Sequence, residues 1–297
     1  MSDAPKIIKS FLFYLEHSRQ YSKHTLVSYR TDLKQFLNHL WSQIDFNLFP
    51  TGITQKDIRF YLAHLRNKGF SEATVSRKLA SLRSLYRWML REKMVDQNPT
   101  RGFASPRPDK PPLRVLDEWQ VESLMITANV QSLWGQRDRV ILELLYSTGI
   151  KIGELAGLNW QEVDLFEQCI HIEGRASRKR SLVLSVGAYQ AVQEYWKILS
   201  GARKSRKFDP DAVLVNRRNG RLSDRSISRV VEKYVKRANL PEWVSPQTLR
   251  HSFATHMLDR GANVEDIQAI LGHQSVETTK IYTKMREKGV LSPNPGS

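Results

Sequence analysis

Between Ser22 and Leu40 apolar residues recur every three or four positions, at Leu26, Tyr29, Leu33, Phe36, Leu37 and Leu40, and leave Lys23, Arg30 and Lys34 off that stripe. This spacing predicts an amphipathic helix with a basic outer face. Thr54 with Asp57 three residues later forms an N-terminal capping pattern for a second helix through Leu65, which Gly69 closes. A third, from Ser71 to about Arg91, buries Val75, Leu79, Leu82, Leu85 and Met89 and places Arg77, Lys78, Arg83 and Arg87 elsewhere on its surface. The first hundred residues therefore read as helices only. Asn98-Pro99 ends that pattern, and Pro106, Pro108, Pro111 and Pro112 make Gly102 to Leu113 a stiff, extended connector. The predicted organisation is a helical domain over residues 1–101, a linker over 102–113 and a second domain over 114–297.

In the second domain Asp117 to Ala128 and Gln136 to Leu145 read as helices, and Lys151 to Leu158 as a short one after the Thr148-Gly149 turn. The period then changes to two in Cys169-Ile170-His171-Ile172 and again in Ser181-Leu182-Val183-Leu184. These runs flank the basic stretch Arg175 to Arg180 and predict a β-hairpin with a positively charged tip. Helices resume over about Val186–Leu199, Asp224–Ala238, Leu249–Arg260 and Val264–Leu271, and a short one capped by Ser275 presents Tyr282 near its end. The fold class is mainly α with a small β-sheet. The basic runs Arg203 to Lys207 and Arg217 to Arg221 read as loops, either solvated or touching phosphate.

Charge turns this outline toward a partner. With 46 basic against 30 acidic residues the chain carries +16 and calls for a polyanion, and the basic positions are too dispersed for a membrane-surface cluster. Nucleic acid fits, and Arg30, Lys34, Arg77, Lys78, Arg83 and Arg87 are the expected backbone-phosphate contacts of the first domain. No run of about 18 apolar residues is present, so the expected location is the cytoplasm. Lone Cys169 can form no internal disulfide and is too few for a cysteine zinc site, so no metal is expected.

The candidate chemistry lies in the second domain. Leu271-Gly272-His273-Gln274-Ser275 lets Gly272 end one helix before the helix of Tyr282 begins, and Ser245-Pro246-Gln247-Thr248-Leu249-Arg250-His251 sets Arg250 and His251 at a helix start, where the dipole favours an anion. With the hairpin tip and Thr148-Gly149-Ile150-Lys151, these segments predict a cradle for one phosphodiester.

These four segments, in this order and spacing, resemble the catalytic segments of the tyrosine site-specific recombinases (the phage-integrase family). The similarity to the bacterial Xer group, which resolves chromosome dimers, runs over roughly residues 5 to 285. The resemblance implies a C-shaped two-domain DNA clamp, helical core-binding domain first, that acts as a homo- or heterotetramer on two duplexes and leaves open an activating DNA translocase as a further partner. It also implies nicking and rejoining through a 3′-phosphotyrosine, without metal or nucleotide cofactor. Tyr282 matches the nucleophile, and Arg250 and His273 match phosphate and transition-state contacts. Three positions depart from the pattern. Lys151 stands where the family has an arginine, so a mobile point donor replaces a planar fork. Arg175 stands where a lysine would protonate the leaving oxygen, although Lys179 on the far side of the tip could substitute; a guanidinium with pKa above about 12 is a poor acid. Gln247 stands where a histidine would accept the tyrosine proton, which a neutral amide cannot do. The resulting expectation is DNA binding with severely impaired cleavage. The competing readings are a working recombinase that tolerates the three changes and a cleavage-silent subunit that assists a related partner.

Overall fold

The computed structural model describes residues 4–43, 45, 49–104, 113–128, 132–173, 179–273 and 275–287. Two compact units divide the chain, Met1–Pro111 and Pro112–Ser297.

Among the described residues the first unit has four helices, α1 (Ala4–His17), α2 (Lys23–Gln43), α3 (Gln55–Asn67) and α4 (Glu72–Arg91). Helix α3 starts where the Asp57 carboxylate accepts from the Thr54 backbone N–H at 2.8 Å and its hydroxyl at 2.7 Å, and α4 starts where the Ser71 hydroxyl accepts from the Thr74 N–H. The predicted stripes meet in one core: Leu33, Phe36 and Leu40 of α2 lie with Ile58, Tyr61 and Leu65 of α3 and Val75, Leu79, Leu82, Leu85 and Met89 of α4. Helix α1, which the sequence pattern did not single out, adds Phe11, Leu12 and Leu15, and the Phe11 ring lies 5.5 Å from Trp88.

One expectation for this unit is wrong. Lys78 is not on the outer face but 2% exposed, with its ammonium on Asp32 Oδ1 at 2.9 Å and on Gln35 Oε1. Position 78 falls three after Val75 and four before Leu82, on the buried stripe itself, and a charge there is tolerated because α2 supplies a buried carboxylate. Arg77 also bonds Asp32, and Arg83 donates to the Phe103 carbonyl at 2.6 Å. Arg30, Lys34 and Arg87 are exposed, as the basic-face reading expects.

The second unit runs α5 (Glu118–Ile126), α6 (Leu133–Ser147), α7 (Ile152–Gly157), a 3-10 turn (Trp160–Glu162), β1 (Val163–Asp164), β2 (Cys169–Glu173), β3 (Lys179–Val183), α8 (Val186–Arg203), α9 (Asp224–Arg237), α10 (Pro246–Asp259), α11 (Val264–Leu271) and α12 (Val276–Glu287). The strands form one antiparallel sheet in the order β1-β2-β3, with Ile170 opposite Leu182 and Ile172 opposite Arg180. This alternation sends Ile170, Ile172 and Leu182 into a core built around α6, α8 and α9. A second apolar cluster, Phe253, Ala254, Leu258, Ile267, Leu271 and Tyr282, binds α10, α11 and α12 together. The hairpin tip, with Arg175, lies outside the described residues.

Two loop readings change. Arg221 donates to the carbonyls of Ala156, Gly157 and Leu158 and to Asn159 Oδ1, tying down the C-terminal end of α7. Arg203 donates to the Pro210 and Asp209 carbonyls. Both are intramolecular fasteners. No described helix is long and apolar enough to cross a membrane.

Candidate active site

Helix α10 carries most of the site, and it begins earlier than the apolar pattern indicates. The Ser245 hydroxyl accepts from the Thr248 N–H at 3.2 Å and Pro246 occupies the first turn. Arg250 and His251 therefore sit in the second turn rather than at the helix start, and their position owes little to the dipole, whose influence fades within the first turn. Gln247 and His251, one turn apart, face the same way, and the Gln247 Nε2 lies 3.1 Å from His251 Nε2.

Arg250 is 5% exposed. Its guanidinium donates to the Gly149 carbonyl, to the Leu271 carbonyl at 2.7 Å and to His273 Nε2 at 3.2 Å. It thereby joins the α6–α7 turn to the end of α11. Gly149 must be glycine for this approach: its φ is +59° and a Cβ would stand 2.6 Å from the Phe253 ring and 2.8 Å from Leu271. Burial lowers the Arg250 pKa to about 10.

Gly272 closes α11 in the left-handed conformation, φ +62°, as its place in the sequence predicts. It turns the chain so that His273 faces inward. His273 Nε2 accepts from Arg250, so Nδ1 carries the proton toward Thr279 Oγ1, 2.9 Å away. Burial, then repulsion from Arg250 and Lys151, lowers its pKa to about 4, consistent with this neutral ring.

Tyr282 comes from α12 and is 1% exposed. Its ring stacks on His273 with centroids 6.5 Å apart and an 11° interplanar angle, and its hydroxyl is hydrogen-bonded to His251 Nδ1 at 2.9 Å. Burial raises the phenol pKa and Arg250 acts against it. His251 itself is driven to about 4 by burial and the Arg250 charge. The sequence reading noted His251 only as the neighbour of Arg250. The missed signal was its spacing of four from Gln247, which aligns the two side chains on one helical face.

Lys151 caps α7, its N–H donating to Glu154 Oε2 at 3.0 Å. Its ammonium donates to the Gly272 carbonyl at 3.2 Å and lies 3.7 Å from Glu154. Burial lowers its pKa, Glu154 opposes that and Arg250 adds to it. Arg180 was counted in the basic hairpin tip; instead it turns inward from β3, donating to the Ile270 carbonyl at 2.8 Å and to Glu154 at 2.6 Å. Glu154 and Arg180 are the scaffold on which Lys151 and Gly272 rest. Lys179 is exposed at the start of β3.

The second unit thus gathers Lys151, Arg250, His251, His273 and Tyr282 into one mainly cationic cluster, with Gln247 attached through His251. A buried phenol beside an arginine, a lysine and two neutral imidazoles can bind an anion and present an oxygen nucleophile to it. Among the described residues no group of three or more His, Cys, Asp or Glu side chains converges as a metal would need.

The profile described as phage integrase family matches residues 114–288, and that described as phage integrase, N-terminal SAM-like domain, matches residues 8–93. The tyrosine recombinase XerC of Syntrophus aciditrophicus is 35% identical over 295 residues, 94% of this chain and 92% of that one. The tyrosine recombinase XerC of Bacillus subtilis is 31% identical over 289 residues, 97% of this chain and 94% of that one. In fold the chain is similar to XerH site-specific recombinase bound to palindromic difH substrate in a post-cleavage complex, with TM-score 0.73, 17% identity, and coverage of 95% and 82% of the two chains.

Proposed function

Since the chain belongs to the phage integrase family and is a Xer-like tyrosine recombinase, we propose that it binds a specific site on double-stranded DNA with Tyr282 as its potential nucleophile, but cleaves strands far more slowly than a relative with the expected side chains. The observation that carries this is the engagement of Lys151. Its ammonium rests on the Gly272 carbonyl and Glu154, a single-point donor where the reaction calls for a planar fork on two phosphate oxygens.

The remaining departures act on protons. Arg175 keeps the hairpin's charge for binding yet holds its own proton too tightly to give one to the 5′ leaving oxygen. Gln247 can only orient a neighbour. All three substitutions keep polar bulk, so affinity outlasts turnover. Arg250 and His273 remain to hold a phosphodiester beside the phenol, and the exposed Arg30, Lys34 and Arg87 supply the first unit's phosphate contacts. Assembly as a tetramer on two duplexes and a role in chromosome dimer resolution follow from the same family reading.

The test is a suicide substrate nicked beside the scissile phosphate. The expected outcome is specific binding with little 3′-phosphotyrosyl adduct, and a gain of about 10³-fold or more when Lys151→Arg, Arg175→Lys and Gln247→His are introduced together. Abundant adduct from the unaltered chain, or no gain from the three changes, would sink the impairment.

A further inference from the structure

We infer that His251 is the proton acceptor for the Tyr282 phenol, filling the role that the amide at position 247 cannot perform. The inference rests on the reading of Tyr282 as a nucleophile toward DNA phosphate. The two residues are hydrogen-bonded at 2.9 Å through Nδ1, within the reach proton transfer requires. Gln247 lies 3.1 Å from the opposite ring nitrogen; with its amide turned so that Oε1 accepts from Nε2–H, it holds the tautomer that leaves Nδ1 open to the phenolic proton. His273 is the other imidazole near Tyr282, but its two nitrogens are committed to Arg250 and Thr279. It stacks on the tyrosine ring and does not take its proton.

The step balances without a cofactor. The phenolic O–H bond breaks and its proton passes to Nδ1, giving an imidazolium. The phenolic oxygen forms a bond to phosphorus while the bond from phosphorus to the 5′ oxygen breaks, and that oxygen, leaving with the electron pair, takes a proton from solvent water or from the hairpin. Rejoining runs the transfer backward, so the imidazolium returns its proton to the departing phenolate.

The charged groups around the pair make this acceptor conditional on DNA. Arg250 on the same helix opposes an imidazolium at His251 directly. Lys151 at the start of α7 and Arg180 from β3 add positive charge to the pocket, which the Glu154 carboxylate between them offsets only in part. A phosphodiester seated against Arg250 and Lys151 brings the missing negative charge. It relieves the repulsion and lets the ring hold a proton. The base becomes competent when the scissile phosphate is in place, which suppresses ionisation of the phenol in free protein.

The experiment uses the full chain with Lys151→Arg and Arg175→Lys, leaving Gln247 as it is, so that fork and acid are present and the acceptor is the variable. Single-turnover adduct formation is followed from pH 5 to 9 on a nicked suicide substrate, and again on one whose bridging 5′ oxygen is sulfur, a leaving group that needs no acid. His251→Gln is expected to slow adduct formation about 10²-fold on both substrates and to remove the rise in rate with pH, at unchanged DNA affinity. An unaltered rate and pH profile in His251→Gln overturns the inference, as does failure of the two-site parent to form adduct at all, since fork, acid and proposed acceptor would then be together and inert. Failure of the impairment reading looks different: the unaltered chain would match the two-site parent, whatever His251→Gln does.

Discussion

Asp32 and Lys78 form a charge pair with side-chain exposures of 1% and 3%, and what each contributes depends on the other. Removing the carboxylate with Asp32→Ala leaves a buried ammonium facing the neutral Gln35 side chain and the Phe70 ring, and stability is expected to fall by about 3–5 kcal/mol in urea titrations. Lys78→Met, which leaves the Asp32 carboxylate still paired with Arg77, should cost much less. It should also leave the slope of log affinity against log salt unchanged, whereas Arg87→Ala should make that slope shallower by about one. Here the limits of sequence reading have a physical form. The period of α4 already places residue 78 on the apolar stripe, so its burial was legible; its counter-charge was not, because it sits on another helix far along the chain. Tyr282, Arg250 and His273 were singled out by segments that resemble the family's catalytic segments, and their side chains do converge. For His251 local spacing offered only its alignment with Gln247 on one helical face; its hydrogen bond to Tyr282 comes from α12, which local pattern cannot bring to it.

At the scale of elements, helix ends were read best where a side chain caps them and worst where the apolar pattern begins late. Ser71, Asp57 and Gly272 act where the sequence put them, but the first turn of α10 is Pro246-Gln247-Thr248, which carries no apolar signal. The α6–α7 turn is the most constrained joint. Gly149→Ala demands a positive φ of an alanine and drives its Cβ into Phe253, so a loss of about 2–4 kcal/mol is expected by thermal unfolding. The same change displaces the carbonyl that anchors Arg250, and DNA affinity of the folded fraction should fall with it. Arg221→Lys tests the other end of α7. A lysine cannot reach three carbonyls and Asn159 at once, and about 1–3 kcal/mol of stability should be lost although the charge is kept.

Over the whole molecule, histidine makes stability depend on pH. His39 in the first unit is 4% exposed with neither ring nitrogen hydrogen-bonded. Burial, then the neighbouring His64 and Lys68, lower its pKa from 6.5 to about 4. A depressed folded value means that the unfolded chain takes up the proton first. The stabilisation is complete above about pH 6.5 and drains away as pH falls toward 4. His251 and His273 in the second unit shift in the same direction. Denaturant midpoints measured at pH 7.5 and pH 5 should therefore differ, and His39→Leu should narrow the gap. The concealment of Tyr282 also has a chemical consequence. A water-borne nitrating reagent meets half-buried rings such as Tyr21 and Tyr189 freely but finds 1% of the Tyr282 surface. Mild nitration should consequently decorate the protein elsewhere first, leaving the Tyr282 phenol intact until the second unit opens.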